Sequence, residues 1–123
     1  MEKVRPVLPD SLIAGKLKKE ELFQNMILRP VIKMQHDVLI LRVKSYFSSK
    51  KVVFHLMDKQ KRVSAIESTF QNDNPFKKEI QGMILGQLTK EEFLTYLKSE
   101  RSMNKRIIQI VRNRMLDSLL ELS

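Results

Sequence analysis

Apolar residues recur three and four positions apart along nearly the whole chain, and that period is the strongest constraint on what the chain can fold into. Phe76, Ile80, Met83, Ile84 and Leu88 repeat in this way, as do Met103, Ile107, Ile108, Val111, Met115, Leu119 and Leu122. On a helix turning about 100° per residue such positions share one face, whereas on a strand they scatter over both. The one run with strand propensity, Val52-Val53-Phe54-His55-Leu56, has no second strand pattern to pair with. It reads as a connector anchored by Phe54 and Leu56. The fold class that follows is all-α.

Punctuation between the periodic segments is helical too. Asp58 is suited to cap a helix carrying Val63, Ile66 and Phe70, Asn74-Pro75 is a cap followed by proline in the first turn, and Thr89-Lys90-Glu91-Glu92 is a capping box. Ser99 or Ser102 caps the last helix. Residues 1–17 mix Pro6, Pro9 and Gly15 with Val4, Val7, Leu8, Leu12 and Ile13, which predicts an extended N-terminal arm packed on or near the core. Residues 18–123 then form a single helical domain, a compact bundle of five to six helices whose short links make neighbours antiparallel. A helix beginning near Lys18 turns Phe23, Met26 and Ile27 inward. Pro30 kinks it or opens the next helix, and disfavours helical geometry at Arg29. From Val31 to about Phe47 apolar residues almost encircle the axis, which predicts the central helix of the bundle.

The chain has 123 residues, enough for one core without staples, and no cysteine. Thiolate catalysis, disulfides and Cys-based metal sites are therefore excluded, and a reducing compartment is expected. The start, Met1-Glu2-Lys3-Val4-Arg5-Pro6, lacks a signal-peptide apolar region, and the purest apolar run, Val38 to Leu41, is too short to span a bilayer. The expectation is a cytoplasmic protein without a membrane partner. Twenty-three Lys and Arg against 14 Asp and Glu leave a net charge of +9, which attracts polyanions at low salt.

Polar residues inside the apolar segments mark the candidate site. Gln24, Asn25, Arg29, Gln35, His36 and Asn104 fall where the central and last helices would meet, and an unpaired buried polar group costs roughly 1–3 kcal/mol. As structure they form one hydrogen-bonded network that fixes helix register; as function they line a pocket for an anionic or polar ligand, with Arg29 as its charge. His36 shares a face with Ile32, Ile40, Val43 and Phe47, and Asp37 lies within ion-pairing spacing of Lys33 and Lys44. Two isolated histidines give no metal-ligand spacing, so neither metal nor other cofactor is expected. Gly82 and Gly86 weaken their helix, which predicts close approach by a neighbouring helix or partner chain. Lys105, Arg106, Gln109, Arg112 and Asn113 read as one basic face of the last helix, either an ordinary solvent face or a surface for nucleic acid. No aromatic interleaves residues 101–114, so binding there would lack sequence preference.

Phe23-Gln24-Asn25, Leu28-Arg29-Pro30, Gln35-His36-Asp37, Gly82 with Gly86, and Asn104-Lys105-Arg106 resemble segments of a family of small, uncharacterised bacterial proteins that often carry the automatically assigned name glyoxalase. The resemblance spans roughly residues 20–115, with Lys44 to Met57 matching least. It implies kinship and a helical fold but carries over no catalytic residue. True glyoxalase I enzymes are βαβββ assemblies with His and Glu metal ligands, so glyoxalase activity is not expected of an all-helical chain. The expected function is a non-enzymatic role through protein–protein interaction or self-association as a homodimer, ahead of nucleic-acid binding. The competing expectation is a ligand-binding protein or enzyme built on Arg29, His36 and Asn104.

Overall fold

The computed structural model describes the backbone of residues 12–123 and the side chains from residue 18 onward. Helix α1 (Leu12–Phe23) leads into a π-helical segment (Gln24–Leu28) and α2 (Arg29–Met34). Then follow α3 (His36–Ser49), a 3₁₀ turn (Phe54–Leu56), α4 (Lys59–Asn72), α5 (Asn74–Leu85), α6 (Lys90–Leu97) and α7 (Glu100–Leu116). With α1, the π segment and α2 taken as one rod, the described residues form six helices and no strand. The all-α bundle expected from the apolar period is the observed fold. The expected arm is cut short: α1 begins at Leu12 rather than near Lys18, and the rest of the arm lies outside the described residues.

Local chemistry explains most boundaries. The Lys61 N–H donates to Asp58 Oδ1 at 2.8 Å, opening α4 as expected. Thr89 and Glu92 complete a reciprocal capping box at α6. At α5 the cap is Asp73 rather than Asn74, because its carboxylate accepts the Phe76 N–H at 3.0 Å and leaves Asn74 and Pro75 in the first turn. Ser99 precedes α7 without a side-chain cap, and Ser102 lies inside that helix.

Pro30 neither ends the rod nor expels Arg29 from helical geometry, since Arg29 has φ −62 and ψ −46. The π turn supplies the reason. A proline ring clashes with the carbonyl four residues back, here that of Met26, and the Arg29 N–H reaches past the usual acceptor to Gln24 O. Widening this one turn accommodates the ring without a break. The break comes later, at Gln35 (φ −89, ψ 9), where α2 hands over to α3.

The core is built on α7, whose Met103, Ile107, Val111 and Met115 are fully or almost fully buried against Leu28, Ile32, Leu39, Ile66, Ile80 and Ile84. The helix over 31–47 is therefore not the central one. Its nearly all-round apolar surface divides in two: Leu39, Ile40, Val43 and Phe47 enter the core, while Met34, Val38 and Leu41 expose 63%, 48% and 66% of their surface. In the connector Phe54 is buried beside Phe47, with ring centroids 5.0 Å apart, but Leu56 is exposed and anchors nothing. Gly82 is exposed too, and among the described residues no neighbouring helix packs on its backbone. Gly86 closes α5 by donating to Gly82 O, and that carbonyl is its close neighbour.

Candidate functional site

The six polar residues singled out in the sequence do not form one cluster. Gln24 lies on the π turn, where its Oε1 accepts Arg106 Nη1 at 2.6 Å, and Ser102 donates to Glu20 at 2.7 Å beside it. Asn25 accepts from Arg29 Nε one turn on, at the surface. Gln35 donates to the Met83 carbonyl of α5 at 3.3 Å. Asn104 Oδ1 accepts the Tyr96 hydroxyl at 2.8 Å, and burial, above all, pushes the Tyr96 pKa up. These are separate contacts: those of Gln24, Gln35 and Asn104 each join distant parts of the bundle or two helices, while Asn25–Arg29 stays within one rod. Asn104 sits ten residues before the part of α7 that meets His36, about 15 Å along the axis, so the two share no network.

His36 heads α3 and has two partners. Arg114 Nε donates to its Nδ1 at 2.8 Å, and its Nε2 lies 2.9 Å from Glu121 Oε1. Because a guanidinium only donates, Nδ1 must be the acceptor and the proton sits on Nε2, facing Glu121. The imidazole is thus neutral in this geometry, bridging a cation and an anion. A cleft of about 440 Å³ opens beside it, lined by Arg29, Asn113, Asp117 and Ser118 among others. A general base needs a nitrogen turned to substrate, and both are occupied. Ser118, the nearby hydroxyl, is buried and donates to Arg114 O at 2.7 Å. The arrangement clamps α3 to the end of α7 and to the final turn.

A wider cleft, about 850 Å³, lies between the start of α4 and that turn, but its Arg62 already donates to Met57 O and Ser123 Oγ. Among the described residues no group of three His, Cys, Asp or Glu could hold a metal ion, and no helix is long and apolar enough to cross a membrane.

The basic face also divides. On α7, Arg101, Lys105 and Arg112 lie within about 40° of one another, while Arg106 is about 100° from Lys105. Arg106 is half-buried against α1, paired with Gln24 and 3.7 Å from Glu20, and does not belong to the exposed face. Arg112 remains on it, with Nε and Nη2 donating to Asn113 Oδ1. Lys105 lines a groove between α5 and α7, about 450 Å³, with Lys77, Gln81, Arg101, Asn104 and Gln109.

Arg114, Glu121, Tyr96, Lys77 and Arg101 escaped the sequence reading. Arg114 and Glu121 stand seven apart, one face of a continuing helix, and that spacing was the available signal. With the geometry in hand the molecule is a helical bundle with tertiary clasps. No protein-family model matches the chain, and searches of curated proteins and of solved structures find no match either.

Proposed function

We propose that this chain is a non-enzymatic interaction protein that self-associates through an exposed face running from the π turn through α2 into α3. The observation that carries the reading is a line of exposed apolar residues, Met26, Pro30, Met34, Val38 and Leu41, along that face. Contiguous exposed apolar surface of this kind marks interaction sites rather than solvent faces.

The line is self-complementary about Met34. Pro30 and Val38 stand four residues to either side, Met26 eight before and Leu41 seven after. A two-fold dimer sets one patch on its own copy, residue i meeting j as j meets i, and this line can do so about Met34. Lys33 and Asp37 flank the line on the same side, so an antiparallel copy sets each within a turn of its opposite charge. The line is about 22 Å long at 1.5 Å per residue, which limits the contact to the transient class below about 1,200 Å² in total. A concentration-dependent, micromolar dimer is the expected state.

Sedimentation velocity over about 5–500 μM tests this. Wild type should shift from monomer toward dimer with rising concentration, and Val38→Glu with Leu41→Glu should remain monomeric while keeping a native circular dichroism spectrum. Wild type that stays monomeric throughout would remove the reading.

A further inference from the structure

The α5–α7 groove is lined by cations alone among its charged residues: Lys77 from α5 faces Arg101 and Lys105 from α7. The polar groups between them are amides, Gln81, Asn104 and Gln109, over a floor made by Ile108. Asn104 is the informative one. Tyr96 occupies its Oδ1, so the end that it can offer to the groove is its –NH₂, a donor. The groove thus presents fixed positive charge and hydrogen-bond donors, and its occupant must be an acceptor with negative charge.

Its shape selects a chain over a single ion. Arg101 and Lys105 are one turn apart, about 6 Å along the axis, and Arg112 continues the row about 10 Å further. Phosphates of one strand in stacked, duplex-like form advance about 3.4 Å per nucleotide along the axis, so the row meets every second or third phosphate of such a strand. No aromatic lines the groove, which removes base stacking as a source of recognition.

We infer that the α5–α7 groove binds a phosphodiester strand along its backbone, without reading bases, through Lys77, Arg101, Lys105 and the Asn104 amide, with Arg112 extending the track. This site is independent of the self-association face, with which it shares no residue.

Fluorescence anisotropy of a labelled 20-nucleotide RNA of mixed sequence tests it, on the full chain at low salt and again at about 0.15 M. Arg101→Glu with Lys105→Glu should weaken binding at least tenfold and reduce the salt slope by about 1.4, two contacts at about 0.7 each for single strands. Lys59→Glu with Lys61→Glu changes net charge equally at exposed positions on α4, away from the groove, and should weaken binding less than threefold. Asn104→Asp, which replaces the donor by an acceptor, should also lose at least threefold. Equal losses in the two charge-reversed pairs would assign the binding to bulk charge and overturn the site. So would undetectable RNA binding, or capture of phosphatidylserine vesicles in place of RNA. Each variant is compared by circular dichroism, and Lys105→Gln supplies a milder substitution should charge reversal unfold the chain.

Discussion

Gly82→Ala should stabilise this protein. Gly82 lies within α5, three residues before its end, with a backbone φ in the ordinary negative range. A β-carbon built there meets no heavy atom within 4 Å outside its own helix. The substitution therefore adds no contact and no clash, and its effect comes from backbone freedom removed from the unfolded chain. Glycine is about 1 kcal/mol worse than alanine in a helix interior, and fraying near the end reduces this, so the gain should be about 0.5–1 kcal/mol. For a domain of this size that corresponds to roughly 2–5 °C in Tm. Gly86→Ala supplies the contrast, because its β-carbon would stand 3.1 Å from Gly82 O and the helix end would have to shift. It should gain less, or lose. Urea denaturation followed by far-UV circular dichroism measures both, and the slope with denaturant should not change. A loss of 0.5 kcal/mol or more for Gly82→Ala would refute the reasoning and mean that something packs on that backbone.

Replacing His36 by alanine leaves Arg114 and Glu121 without a partner but within reach of water, so the cost should be about 1 kcal/mol. A denaturation double-mutant cycle should find His36→Ala coupled to Arg114→Ala by at least about 0.5 kcal/mol and additive with Asn104→Ala within about 0.3–0.5 kcal/mol; strong coupling between 36 and 104 would mean that the clasps are one network. The Tyr46 hydroxyl donates to Asp73 Oδ2 at 2.5 Å, which, with the Phe76 N–H and Lys50, holds the Asp73 carboxyl below its usual range. Burial and that same bond push the Tyr46 hydroxyl above its usual range. The depressed carboxyl contributes stability that is complete above about pH 5 and is lost as pH falls below about 4; the raised phenol contributes stability present below about pH 9 and lost as pH climbs past about 10. Stability against pH should fall at both limits, with Asp73→Asn flattening the acid limb and Tyr46→Phe the alkaline one. An unchanged acid limb in Asp73→Asn would count against this pairing.

Fold class was legible because periodicity and caps are local. Asp58 caps an N–H three residues on, Thr89 and Glu92 bond each other across three, and the apolar rows of α5 and α7 need no partner to be recognised. What could not be read was which polar side chain meets which. Gln24 pairs with a residue 82 positions away and His36 with one 85 away, and no spacing rule reaches that far. The same limit made α3 look central: Met34, Val38 and Leu41 are as apolar as Leu39, Ile40 and Val43, and only the packed bundle separates the covered face from the uncovered one. Pro30 does stand in the first turn of α2, and only its expected effect on Arg29 failed, for a different reason. Its effect was absorbed by a π turn that no residue type announces.

The most direct test of self-association uses the absence of native cysteine. Met34 lies at the two-fold centre of the proposed face, so Met34→Cys should form a disulfide-linked dimer rapidly under mild oxidation. Met26→Cys and Leu41→Cys should each remain largely monomeric alone and cross-link when mixed, because an antiparallel pairing sets each against the other. Non-reducing gel electrophoresis reads all four reactions. Cross-linking of Met26→Cys with itself as fast as Met34→Cys, or none in Met34→Cys at concentrations where wild type sediments as a dimer, would contradict the account.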